Sequence, residues 1–314
     1  MMQYVVRRLV QLVPVLLLMS MLVFFLTRLA PGDPVAMILG VEATPAARHA
    51  LESKLGLDKS IPLQYVNWLT NALRGNLGVS YFGFAPITEL VRTAVPVTLE
   101  LTFLAALVGL VISVPAGLLA GLRPHTAYDA ASTTFAVIGL CLPSFWLAIL
   151  LIMLFAVRLG WLPSGGFVPL SEGLAANLSH LILPAITLGI GLAAPLMRLL
   201  RSSMIEVLSS DYIRTARAKG LRESVVILRH ALKNGLLPFV TYLALQLGSL
   251  LSGTVITEEI FLLPGLGRLM INSIFQRDYG IIQGVALLAA VFFVLMNLAA
   301  DVTYAYLDPR IRLK

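Results

Sequence analysis

The chain has 314 residues, 58% of them hydrophobic and 12% charged, with a net charge of +7. Soluble domains carry about 25% charged residues, so an ordinary cytosolic fold is excluded and a multi-pass membrane protein is expected. The positive charge gathers on one side of six apolar windows, which makes it a topology signal and not a nucleic-acid footprint.

The first window, Leu9–Thr27, follows Arg7-Arg8 and runs into Thr27-Arg28-Leu29-Ala30-Pro31 without a small-x-small cleavage site. It reads as an uncleaved first helix with its N-terminus inside. Pro31-Gly32-Asp33-Pro34 is a turn that ends it. Residues 31–95 are the only long segment outside the membrane. Within them, residues 45–55 read as a short helix with Thr44 as cap, Pro45 at its first position and Gly56 as stop. Residues 62–74 read as a second helix with Leu63, Val66, Leu69 and Leu73 on one face, ended by Gly75-Asn76-Leu77-Gly78. Three placements stay open for these helices: on the membrane surface, packed on the spans, or against an external partner. Packing is the expectation.

Five further windows follow: Val97–Gly121, Thr133–Val157, Leu181–Leu200, Leu236–Ile256 and Ile281–Ala300. Each holds about 20 residues, enough to cross a bilayer. Only Glu100 and Arg198 are charged within the six windows. Glu100 reads as an interfacial carboxylate at a helix N-terminus, stabilised by the dipole. Pro14, Pro115, Pro143, Pro184 and Pro195 are kink positions. Small residues at Gly109, Ser113 and Ala116-Gly117, and at Gly248, Ser252 and Gly253, let helices approach closely. The single cysteine, Cys141, excludes an internal disulfide and reads as a small apolar core residue. The chain divides into a first span (1–30), an extracytoplasmic segment (31–95), a five-helix core (96–305) and a tail (306–314).

With the N-terminus inside, the cytoplasmic segments hold 14 of the 23 basic residues, and six crossings return the C-terminus to the cytoplasm. Residues 201–235 concentrate seven of these cations: Arg201, Arg214, Arg217, Lys219, Arg222, Arg229 and Lys233. Ser209 or Ser210 can cap a helix that begins near Asp211. Asp211 suits its N-terminus, Lys219 its C-terminus and Gly220 its stop, while Ala216 and Ala218 keep it thin. Two readings stand beside each other: a docking surface for a soluble partner, and a basic loop that binds only lipid headgroups.

No constellation for catalysis assembles. The four histidines lie scattered, with no zinc spacing. There is no Gly-x-Ser-x-Gly elbow and no Gly-Lys-Ser/Thr, so this chain is not expected to be an enzyme or to hydrolyse ATP. No acid lies deep in a window, which counts against an ion-driven carrier.

The run Asp211-Tyr212-Ile213-Arg214-Thr215-Ala216-Arg217-Ala218-Lys219-Gly220-Leu221, followed by Arg229-His230-Ala231-Leu232-Lys233-Asn234 and Leu237-Pro238, resembles the coupling loop of ABC importer permeases of the dipeptide, oligopeptide, glutathione and nickel group. Leu55-Gly56-Leu57-Asp58, Gly160-Trp161-Leu162-Pro163, Glu258-Glu259-Ile260-Phe261 and Pro264-Gly265-Leu266-Gly267-Arg268-Leu269 extend the resemblance over nearly the whole chain. Where the wider family has Glu-Ala-Ala, Arg214-Thr215-Ala216 stands here. The resemblance implies an all-α type I importer permease of six helices in a bacterial or archaeal cytoplasmic membrane. It implies a homologous second permease subunit, two ATPase subunits carrying ATP and Mg, an external substrate-binding protein and surrounding lipid. Asp211, Tyr212, Arg214, Thr215, Ala216, Arg217, Ala218, Lys219 and Gly220 would couple to the ATPase, supported by His230, Asn234 and Pro238. Glu258, Glu259, Pro264, Gly265 and Gly267 would form an external gate or binding-protein contact, with capping of the bundle as the other possibility. No cofactor or metal is expected in this chain. A secondary carrier or channel is the alternative class, and the solute stays open between peptide, glutathione, nickel chelate and other small molecules.

Overall fold

The computed structural model describes residues 2–29, 34–40 and 44–307. Pro31, Gly32 and Asp33 of the expected turn and most of the C-terminal tail lie outside these residues. Helix α1 spans Met2–Leu29. The short α2 (Pro34–Leu39), α3 (Pro45–Leu55) and α4 (Ile61–Leu73) follow. Next come α5 (Ile87–Leu122), α6 (Ala127–Cys141) and α7 (Ser144–Leu151), the last continuing as a π-helix over Ile152–Arg158. Helices α8 (Leu174–Leu208), α9 (Asp211–Ala218) and α10 (Glu223–Val225) lead through a π-turn at Val226–Ala231 into α11 (Leu232–Ile260). Finally α12 (Leu266–Gln276) precedes α13 (Tyr279–Leu307).

Four of these helices are long and apolar enough to cross a membrane, and two bent pairs bring the total to six. The window expected at Thr133–Val157 is one of the bent pairs: α6 meets the helix over Ser144–Arg158 at 102°. Pro143 is the cause, because its ring disfavours helical backbone in the residue before it. Leu142 is extended there, at φ −76° and ψ 120°. Cys141, expected in the core, ends α6 beside this break and is exposed.

Helices α5 and α8 form the spine. A Cβ at Gly117 would lie 2.8 Å from the Met197 carbonyl oxygen, and one at Gly189 2.9 Å from that of Ala105. Backbone meets backbone at both points, the contact that small residues permit between helices in lipid. Around this spine, Leu101, Leu181, Phe261 and Leu263 fill one end of the core, and Leu196, Leu200, Met204 and Phe239 fill the other. Helix α1 stands to the side, against α13 and α4.

The local signals for α3 hold: the Thr44 hydroxyl accepts from Ala47 N at 3.3 Å, and Gly56 ends the helix in left-handed backbone at φ +68°. Helix α4 does pack on a span, but not by the expected face. Leu63, Val66 and Leu73 are exposed, while Tyr65 packs edge-on and Trp68 at a tilt against Phe24 of α1, with ring centroids 5.4 and 5.7 Å away. Glu100 departs from expectation as well. Helix α5 starts at Ile87, so Glu100 lies well inside it, and its carboxylate accepts from Asn177 Nδ2 at 2.9 Å.

Candidate functional site

Helix α8 runs past the apolar window and stops at Leu208. Ser210 takes the N-cap position of α9 with extended backbone, but its hydroxyl does not cap. It donates back to the Val207 carbonyl at 2.5 Å, which pins the turn between the two helices. The next residues form one isolated helix of eight. Gly220 then turns the chain at φ +74° and accepts no close neighbour there. The left-handed backbone explains the glycine.

Two side chains hold α9 to the bundle. Ile213 is fully buried and Ala216 is 7% exposed, and both join the cluster of Leu200, Met204, Val226 and Ala231. Their spacing of three puts them on one helical face. Ala216, expected at the docking surface, therefore faces its own bundle. The small side chain lets α9 lie close to it. Asp211, Tyr212, Arg214, Thr215, Arg217, Ala218, Lys219 and Gly220 are all exposed.

Polar contacts fix the angle of the helix. Asn234 Nδ2 donates to the Tyr212 hydroxyl at 2.8 Å, and that hydroxyl lies 3.5 Å from the His230 carbonyl. Asn234 by its side chain and His230 by its backbone thus meet Tyr212 of α9. Pro238 sits exposed within α11 and touches none of these groups by a hydrogen bond. Arg217 grips Glu223 with both Nη2 (2.6 Å) and Nε (3.2 Å), and this pairing raises the Arg217 pKa above its ordinary value. Arg214 pairs with Asp211 on the outer face. A further strut stands behind: Arg201 of α8 forms an ion pair with Asp129 of α6, whose second oxygen accepts from Arg201 Nη2 at 2.8 Å. Sequence reasoning gave Ile213, Glu223 and Asp129 no site role. The signal for Ile213 was present, as the one large apolar residue in a basic run.

At the opposite end of the bundle, Glu258 is fully buried. Its carboxylate accepts from Thr98 Oγ1 at 2.7 Å and from Arg268 N at 2.9 Å. It satisfies the first turn of α12, whose own N-cap, Gly265, has no side chain to do so. A Cβ on Gly265 would run into the Glu258 carboxyl group, and one on Gly267 would lie 2.6 Å from Val255 Cα. Both glycines answer to close approach and not to a special backbone angle. Glu258, Gly265 and Gly267 are thus buried at the start of α12 and offer no surface to an external protein in this structure. Glu259 is partly exposed, 3.5 Å from Arg268, and Pro264 is exposed.

A helical bundle with this arrangement is the architecture of ABC importer membrane subunits. The inward-facing methionine ABC transporter MetNI superposes with a TM-score of 0.57 at 20% identity, covering 70% of this chain and 97% of that one. An amino acid ABC transporter with histidines superposes at 0.53 and 16% identity, covering 70% and 94%. A family model described as binding-protein-dependent transport system inner membrane component matches residues 113–313, and the corresponding N-terminal model matches residues 1–102. The chain belongs to this family of ABC importer permeases and is a multi-pass inner-membrane protein. It is 40% identical to the oligopeptide transport system permease protein AppB of Bacillus subtilis (strain 168), over 98% of both chains. It is equally 40% identical to the glutathione transport system permease protein GsiC of Escherichia coli (strain K12), over 100% of both.

Proposed function

We propose that this permease is one of two homologous subunits that together enclose the pathway for a short peptide or a peptide-like solute. Relatives named for oligopeptide and glutathione transport, similar over the full length, support that solute class. Two partner ATPases bind ATP and Mg, and an external binding protein delivers the solute. Both termini lie in the cytoplasm, on the side where α9 and its cations gather. ATP closes the ATPase pair, α9 of each permease moves with it, and the spans open outward; hydrolysis reverses the change.

One observation carries this reading. Helix α9 is a separate helix with a polar face outward, packed through Ile213 and Ala216 against the ends of α8 and α11. A push on α9 is delivered to two long helices at once. The test is the complex purified with its ATPases and reconstituted with the binding protein. Gly220→Trp strains left-handed backbone by about 1–2 kcal/mol, at a position where the added Cβ has nothing within 4 Å. The expected result is an assembled complex whose solute-stimulated ATPase and uptake fall together. Unchanged stimulation in that variant overturns the role given to α9.

A further inference from the structure

A polar cavity of about 570 Å³ lies at the end of the bundle opposite α9, enclosed by the last turn of α1, by α3 and α4, and by the starts of α5 and α13. Four cationic side chains line it, Arg28, Lys54, Lys59 and Arg74, and no carboxylate does among the described residues. Like charges gathered in a concavity raise the local potential and draw anions.

Helix ends account for part of this. Arg28 and Lys54 lie in the last turns of α1 and α3, and Arg74 follows the last residue of α4, where cations complement the dipole. That account places the charges but leaves buried groups unsatisfied. Arg28 Nε and Trp68 Nε1 are closed off from solvent without a hydrogen-bond partner. Gln64, 8% exposed, has the same defect at Oε1. Its amide nitrogen is committed to the carbonyls of Leu57 (3.2 Å) and Lys59 (2.6 Å), so the orientation of the group is fixed. Buried polar atoms without partners are uncommon and costly. Two donors and one acceptor around a cationic cavity call for an anion that also carries a hydroxyl.

The level of the cavity narrows the source. It opens where an apolar span ends and where Phe24, Tyr65 and Trp68 cluster, the aromatic and cationic belt of a membrane interface. We infer that this cavity holds the phosphate of an anionic phospholipid headgroup, a phosphoglycerol in chemistry. The phosphodiester accepts from Arg28 and Trp68, Lys59 and Arg74 balance its charge, and a glycerol hydroxyl donates to Gln64 Oε1. The inference rests on the fold alone and is independent of which solute is imported.

The test is native mass spectrometry of the whole transporter, extracted from nanodiscs containing phosphatidylglycerol and phosphatidylcholine of the same acyl chains. The wild type should retain phosphatidylglycerol over phosphatidylcholine by roughly tenfold, the contribution of one or two cations near a headgroup. Arg28→Gln with Arg74→Gln should bring that preference close to unity, and Arg28→Lys should restore most of it. Lys59→Gln with Arg74→Gln changes only exposed residues and gives a reading should the Arg28 variant not assemble; it should lose part of the preference. No preference in the wild type, or one indifferent to these substitutions, overturns the inference. Retention of inorganic phosphate at millimolar concentration by a wild type that shows no lipid preference assigns the cavity to a soluble anion and overturns the lipid source. Weakened affinity for the external binding protein, with lipid preference intact, overturns it in favour of a protein contact.

Discussion

At the α9 end of the bundle, ionised side chains meet each other on the surface: Arg214 with Asp211, and Arg217 with Glu223. At the opposite end, carboxylates are buried and meet backbone. Asp278 is fully buried, accepts from Ser80 Oγ (2.6 Å) and Tyr81 N (2.9 Å), and caps α13 through Ile281 N (3.2 Å). Glu258 does the same for α12. Exposed ion pairs are screened and contribute little to stability, so α9 can be re-paired by a partner at small cost. Buried carboxylates that satisfy helix N-termini cannot be removed without orphaning donors. One end carries exposed ion pairs that can be exchanged, and the other carries buried carboxylates that hold the fold.

The largest effects should therefore come from the buried end. Gly267→Val drives a side chain into the Val255 backbone and should cost about 3 kcal/mol. Glu258→Ala leaves the Thr98 hydroxyl and Arg268 N–H unpaired, at about 1–3 kcal/mol each. Both should lower the thermal unfolding midpoint of the detergent-purified complex and its yield by size exclusion. A wild-type midpoint in either variant would erase the contrast between the ends. Ile213→Ala comes next. It removes the main apolar anchor of α9, worth about 2–3 kcal/mol locally. Because the loss is confined to one end, solute-stimulated ATPase should drop far more than the midpoint does. Equal loss of both would mean that α9 is part of the folding core.

The contrast between the ends was only half legible in the sequence. The helix at residues 45–55, its Thr44 cap, the glycine stops and the start of α9 at Asp211 are set by groups a few residues apart, and short-range chemistry is written locally. The faces are not. In a membrane chain the exterior is as apolar as the core, so periodicity does not say which side is buried. On α4, outside the spans, Leu63 and Val66 point away from the bundle while Gln64 and Tyr65 point in, because the face is chosen by the aromatic contact with Phe24 of α1. Burial of Glu258 depends on Thr98, 160 positions away, and no local pattern distinguishes it from its partly exposed neighbour Glu259. The break at Pro143 was signalled as a kink. Its size, 102°, was not, because neighbouring helices decide how far a freed backbone bends.

The strut between Asp129 and Arg201 tests the middle ground, since it lies near α9 but is largely buried. The Asp129 side chain is 8% exposed and that of Arg201 27%. Arg201→Met strands a charged acceptor and should cost about 1–3 kcal/mol, between the two ends. Asp129→Asn with Arg201→Met should recover most of the midpoint, because the stranded charge is gone. If the double variant also recovers ATPase stimulation, the strut only stabilises. If stimulation stays low, the ion pair carries motion from α8 to α6.

The smallest effect on stability, and the sharpest test of the coupling proposed for α9, belongs to Arg217 and Glu223. Both are exposed, and the pair bridges α9 to α10 across the Gly220 turn. Arg217→Glu should leave the unfolding midpoint unchanged within error, since surface pairs are screened. It places two carboxylates together and should release the angle of α9, so stimulated ATPase falls while basal ATPase of the partner subunits holds. Arg217→Glu combined with Glu223→Arg restores the bridge with its charges exchanged. Recovery of stimulation in the double variant shows that the bridge itself matters. Persistent loss shows that Arg217 serves by meeting the ATPase directly, in which case the contact face of α9 extends to its last turn.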